Sequence, residues 1–112
     1  MQLLLRIRQA DRDIYDDICS GKKVIETRAA TSRYGAIALG DTVTFSCGKD
    51  RHTKTVGKVY HWPSIEAMAE EVTFEKVMPR CSSLDEVLKV YGSYPGYAEK
   101  IRKCGLVGFE LV

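Results

Sequence analysis

Within its first 28 residues this chain changes hydrophobic period twice, from strand to helix and back, and the strand it returns to is loaded with charge. Leu3, Leu5 and Ile7 alternate with Arg6 and Arg8, the period-2 pattern of a half-buried strand. Asp11 stands where it can cap a helix in which Ile14, Tyr15 and Ile18 recur at helical spacing. Gly21 can take the left-handed conformation that ends that helix. The segment Lys23 to Thr27 is rich in β-branched residues and reads as a second strand. Lys22, Lys23, Glu26 and Arg28 crowd into this turn-plus-strand. Charges gathered where a helix stops and a strand begins mark either a ligand site or an ion-pair framework.

The remaining segments narrow the fold. Residues 29–40 lack periodicity and read as a long loop. Asp41 to Ser46 and Thr53 to Tyr60 read as strands, joined through the turn signal Gly48-Lys49-Asp50 into a hairpin. Ser64 can cap a helix with Ile65, Met68, Ala69 and Val72 on one face. Ser83-Leu84-Asp85-Glu86 reads as a capping box opening a second helix, with Leu84, Val87, Leu88 and Tyr91 as its apolar face. Pro95 breaks the pattern, a short helical segment ends near Gly105, and Leu106 to Leu111 is a final strand. This order is not a regular βαβ alternation. It predicts an α+β domain whose five short strands curl into a small barrel with flanking helices.

At 112 residues the chain fits one domain, residues 1–112. Its 45% hydrophobic and 29% charged residues are those of a soluble globular protein, and a net charge of +2 does not by itself mark a nucleic-acid binder. The run Leu3 to Leu5 is far short of the roughly 20 apolar residues of a membrane span, and no basic region precedes a long apolar stretch as in a signal peptide. A cytoplasmic protein with no membrane partner is expected. Cys19, Cys47, Cys81 and Cys104 form no Cys-x-x-Cys pair and are expected to be reduced and mostly buried. His52 and His61 have no ligand-spaced partner, so neither a metal nor another cofactor is expected.

In a regular strand Glu26 and Arg28 share one side and Lys23 points to the other. The three converge only if a turn or bulge near Lys22 re-aims the lysine, for which Gly21 is suited. The spacing of Gly21, Lys23, Glu26 and Arg28 resembles the Gly-x-Lys-x-x-Glu-x-Arg signature of the ASCH domain family, in the PUA-like superfamily. Leu39-Gly40-Asp41-Thr42-Val43-Thr44-Phe45 resembles that family's Gly-Asp turn entering a strand. Tyr94-Pro95-Gly96-Tyr97 and Gly105 to Leu111 resemble its stretch before the closing strand and that strand itself.

The resemblance implies a PUA-like β-barrel, a cleft lined by the motif, and RNA or a nucleoside or nucleotide as partner. One branch of the family hydrolyses the amide of acetylated cytidine with a lysine, a threonine and a glutamate. Lys23 matches the lysine, but Glu26 occupies the threonine's place, and the glutamate's place falls near Pro79-Arg80, where there is no acid.

Arg33 and Tyr34, in the long loop, combine a cation with a ring and suit phosphate contact plus base stacking, or else simple packing on the barrel. Tyr91, Tyr94 and Tyr97 recur every three residues and are expected to serve core and cap packing. The leading expectation is an RNA- or nucleotide-binding module using Lys23, Glu26, Arg28, Arg33 and Tyr34. The alternatives are a hydrolase of a modified nucleoside or of RNA, with Lys23 and Glu26 catalytic, and an interaction domain with an empty cleft. Beginning just after a glycine turn, the Glu26–Arg28 pair is expected near the barrel mouth, within reach of water.

Overall fold

The computed structural model describes residues 1–112. Five strands are β1 (Gln2–Ile7), β2 (Ile25–Ala29), β3 (Thr42–Cys47), β4 (Asp50–Trp62) and β5 (Leu106–Leu111). Four helices are α1 (Arg12–Ser20), α2 (Ile65–Glu71), α3 (Leu84–Ser93) and α4 (Tyr97–Cys104). The result is an α+β domain whose sheet, in the order β1-β3-β4-β5-β2, curls into a half-barrel flanked by helices. No helix is long and apolar enough to cross a membrane.

The curl comes from β4. This 13-residue strand pairs antiparallel with β3 through its first half and with β5 through its second. The register shifts between Val56 and Val59, and a bulge of that kind bends a strand and increases its twist. β1 lies parallel to β3 at one end of the sheet, and β2 lies antiparallel to β5 at the other. The two ends do not hydrogen-bond to each other, so the barrel has an open seam between β1 and β2.

Two apolar clusters hold this shape. Leu3, Leu5, Val43, Phe45, Val56 and Phe109 fill the hollow of the sheet against Tyr15 and Ile18 of α1. Ile25, Ala29, Trp62 and Leu106 form a second cluster with Met68, Val77, Val87, Tyr91 and Ile101 from the helical half. Gly108 is required here, because a Cβ would meet the Trp62 ring at 2.5 Å. β2 is enclosed along nearly its whole length, with only Arg28 partly exposed.

Several local expectations need correction. The second strand starts at Ile25, not Lys23, because the Lys23 N–H is taken by the Asp17 carbonyl (3.0 Å) and the Val24 N–H by the Lys76 carbonyl (3.0 Å). Asp11 does not cap α1 with its side chain, since its carboxylate accepts from Arg8 Nε at 2.8 Å. Ser83 caps α3 at the Glu86 N–H (3.2 Å), but Glu86 turns back to Ser82 and so misses the reciprocal bond of a capping box. Cys19 and Cys104 are exposed, so the cysteines are not mostly buried.

Candidate functional site

The open seam is a cavity of about 490 Å³. Arg6, Ile7 and Arg8 of the β1 side form one wall, and Glu26, Thr27 and Arg28 of β2 face them. The segment 77–81 and Tyr91, Tyr94 and Tyr97 close the remaining sides. The cavity thus lies where the barrel fails to close and where the two apolar clusters meet.

Lys23 reaches it through the turn that ends α1. Gly21 adopts φ 84°, a left-handed conformation favoured by glycine, and residues 22–24 stay outside the strand. The lysine side chain consequently points to the same side as Glu26. Its Nζ donates to the Val77 carbonyl at 2.5 Å and lies 3.5 Å from Glu26 Oε1. Glu26 Oε1 also accepts from the Thr27 N–H at 2.9 Å, while Oε2 has Arg28 Nη2 at 3.6 Å. Lys23 and Glu26 are both 7% exposed. Of the Glu26–Arg28 pair expected within reach of water at the barrel mouth, the carboxylate is enclosed, while the Arg28 side chain stays 28% exposed.

Electrostatics follow from this enclosure. Burial pushes the Glu26 carboxyl up, but Lys23, Arg28 and the Thr27 N–H together outweigh it and hold the group below the usual carboxylate range. Burial pulls the Arg28 guanidinium down, and Glu26 together with Tyr97, Tyr34 and Tyr94 more than restores it. Glu26 is thus a carboxylate between two cations, and the floor of the cavity keeps one uncompensated positive charge. Arg28 meets Glu26 only at 3.6 Å, beyond hydrogen-bond distance, and its Nε is fully enclosed with no partner.

The tyrosines do more than pack. The Tyr91 and Thr27 hydroxyls hydrogen-bond to each other, and Tyr97 OH accepts from the Ala29 N–H on the free edge of β2 at 2.8 Å. Tyr91 and Tyr97 stack with centroids 6.1 Å apart, and Tyr94 meets Tyr97 edge-on at 5.6 Å. Burial raises all three phenols above their ordinary value. Tyr94 remains 39% exposed at the entrance.

Arg33 and Tyr34 do not line the cavity. Arg33 sits over the Tyr34 ring at 5.1 Å, and Arg28 lies 5.7 Å from the same ring. Tyr34 therefore touches the site only through Arg28. The structure adds residues the sequence did not single out. Arg80 grips the buried Asp17 through Nε (2.9 Å) and Nη2 (3.1 Å) on the cavity rim, with Asp13 at 3.4 Å. No spacing could announce a pair 63 residues apart. The three-residue recurrence of the tyrosines is visible in the sequence, where it reads as core and cap packing.

No family model matches the chain, and no curated protein does. Two solved structures are similar to it from end to end. The crystal structure of hypothetical protein PH0355 is 28% identical with a TM-score of 0.83, covering 99% of this chain and 97% of that one. The solution NMR structure of protein PF0455 from Pyrococcus furiosus is 27% identical with a TM-score of 0.78, covering 99% and 96%. The half-barrel with its helices is therefore an architecture that this chain has in common with both.

Proposed function

We propose that this chain is an ASCH-type module of the PUA-like superfamily that binds a nucleotide, free or within RNA, in the seam cavity. One observation carries the reading: enclosed Lys23 and partly exposed Arg28 share a single carboxylate, and the buried Nε of Arg28 has no hydrogen-bond partner. Leaving a buried charged donor unsatisfied costs about 1–3 kcal/mol or more. An incoming phosphate or base carbonyl oxygen supplies both the charge and the acceptor. Glu26 Oε2, with no partner nearer than 3.6 Å, is free to accept from a base amino group. Tyr94, exposed at the entrance, offers a ring for stacking, and about 490 Å³ is within the usual range for small-molecule sites.

Calorimetric titration with nucleosides, nucleoside monophosphates and a short RNA tests the reading. Saturable binding of the phosphorylated ligands is expected. Arg28→Lys keeps the charge but loses the planar fork, and should weaken binding about tenfold with little change in melting temperature. Binding of none of these ligands, or full affinity in Arg28→Lys, would overturn the proposal. Acylated nucleosides belong in the same panel. Both neighbours of Lys23 Nζ are acceptors, the Val77 carbonyl and Glu26, which suits a lysine that offers charge rather than takes a proton. Turnover abolished by Lys23→Ala would replace binding with the hydrolase reading.

A further inference from the structure

We infer that the outer face of β1, β3 and β4 is a second binding surface, a track for the sugar–phosphate backbone of a single-stranded polynucleotide that has one nucleotide seated in the cavity. The inference rests on the nucleotide reading of the seam. Leu3, Leu5, Phe45 and Cys47 point inward, so Arg6 and Ser46 point outward, and Arg51 pairs with Ser46 on that same side. Arg6, Ser46 and Arg51 therefore form one row across three adjacent strands. Lys49 stands at the hairpin tip beside it.

No ion pair in the molecule includes Arg6, Lys49 or Arg51. The acids near this face are already engaged, Asp50 with Arg12 and Asp11 with Arg8. The next row on this face, away from the hairpin tip, is Leu4, Thr44 and Thr53, the two threonines bonded to each other at 2.9 Å. Arg6 also lines the cavity, so the row is continuous with the nucleotide site. Cations without protein partners, arranged in a line that starts at a pocket, match a backbone leaving that pocket. They read charge, not sequence.

The test compares a nucleoside monophosphate with an eight-nucleotide single-stranded RNA, using wild type and the exposed-site double variant Lys49→Gln/Arg51→Gln. Wild type is expected to bind the oligomer at least about tenfold more tightly than the monophosphate. The double variant should leave monophosphate affinity unchanged and bring the oligomer down to it. The slope of log K against log salt should become shallower by about 0.7 for each phosphate that is no longer neutralised. Equal oligomer affinity and salt slope in the two proteins would overturn the track while leaving the cavity reading intact. Oligomer binding that depends on Lys49 and Arg51, without monophosphate binding, would support the track and overturn the cavity reading.

Discussion

Glu26→Gln is the sharpest perturbation this structure offers. The substitution preserves shape, and its amide oxygen can still accept from the Thr27 N–H. What disappears is one negative charge between Lys23 at 3.5 Å and Arg28 at 3.6 Å. At an effective dielectric of about 20, each of these attractions is worth about 4–5 kcal/mol. Relief of the carboxylate's own desolvation offsets several kcal/mol of that sum. The net loss is that of breaking a buried ionic cluster, about 3–5 kcal/mol. For a 112-residue chain that is a melting-point drop of about 10–20 °C. Thermal and urea denaturation measure it, with an unchanged m-value as the check that the fold is kept.

The expected loss is larger than the barrel-mouth placement would have allowed, because Glu26 and Lys23 are enclosed. The pH dependence provides a second check. Glu26 has a depressed folded value, so its stabilisation is fully present above the unfolded value of about 4.3 and is lost as pH falls through the folded one. Glu26→Gln should therefore flatten the acid limb of melting temperature against pH. A variant melting within about 2 °C of wild type, with the acid limb unchanged, would refute the buried-cluster reasoning.

Two further outcomes follow from the cavity walls. Tyr91 is held protonated by burial, so stability is complete below its unfolded value of about 10 and falls as pH rises beyond it. Tyr91→Phe should flatten that alkaline limb while costing about 1–3 kcal/mol at neutral pH, since buried Thr27 loses its partner; denaturant midpoints between neutral and alkaline pH measure both. At the rim, Arg80→Ala strands the buried Asp17 carboxylate, whereas Asp17→Asn leaves an arginine that water can solvate. Arg80→Ala should thus lower the melting temperature more than Asp17→Asn, and the reverse order in a thermal scan would contradict the assignment.

Local chemistry determined much of this protein from sequence alone. The five strands, the Ser64 and Ser83 caps and the left-handed Gly21 follow from period, capping and turn preferences that act over a few residues. So does the grouping of Lys23, Glu26 and Arg28, because neighbours along a chain that turns once at Gly21 have few places to go. Tertiary structure decided what those residues do. The parallel pairing of β1 with β3 and the bulge in β4 leave the barrel open, and only that gap makes a cavity between Arg6 and Arg28. Coverage of β2 by the helical half buried Glu26 and Lys23 of that cluster and left the Arg28 Nε without a partner. Asp17 and Arg80, and the hydroxyls of Tyr91 and Tyr97, found their partners across 63 to 68 residues. Burial and long-range pairing are properties of the assembled sheet and helices, and no periodicity or spacing encodes them.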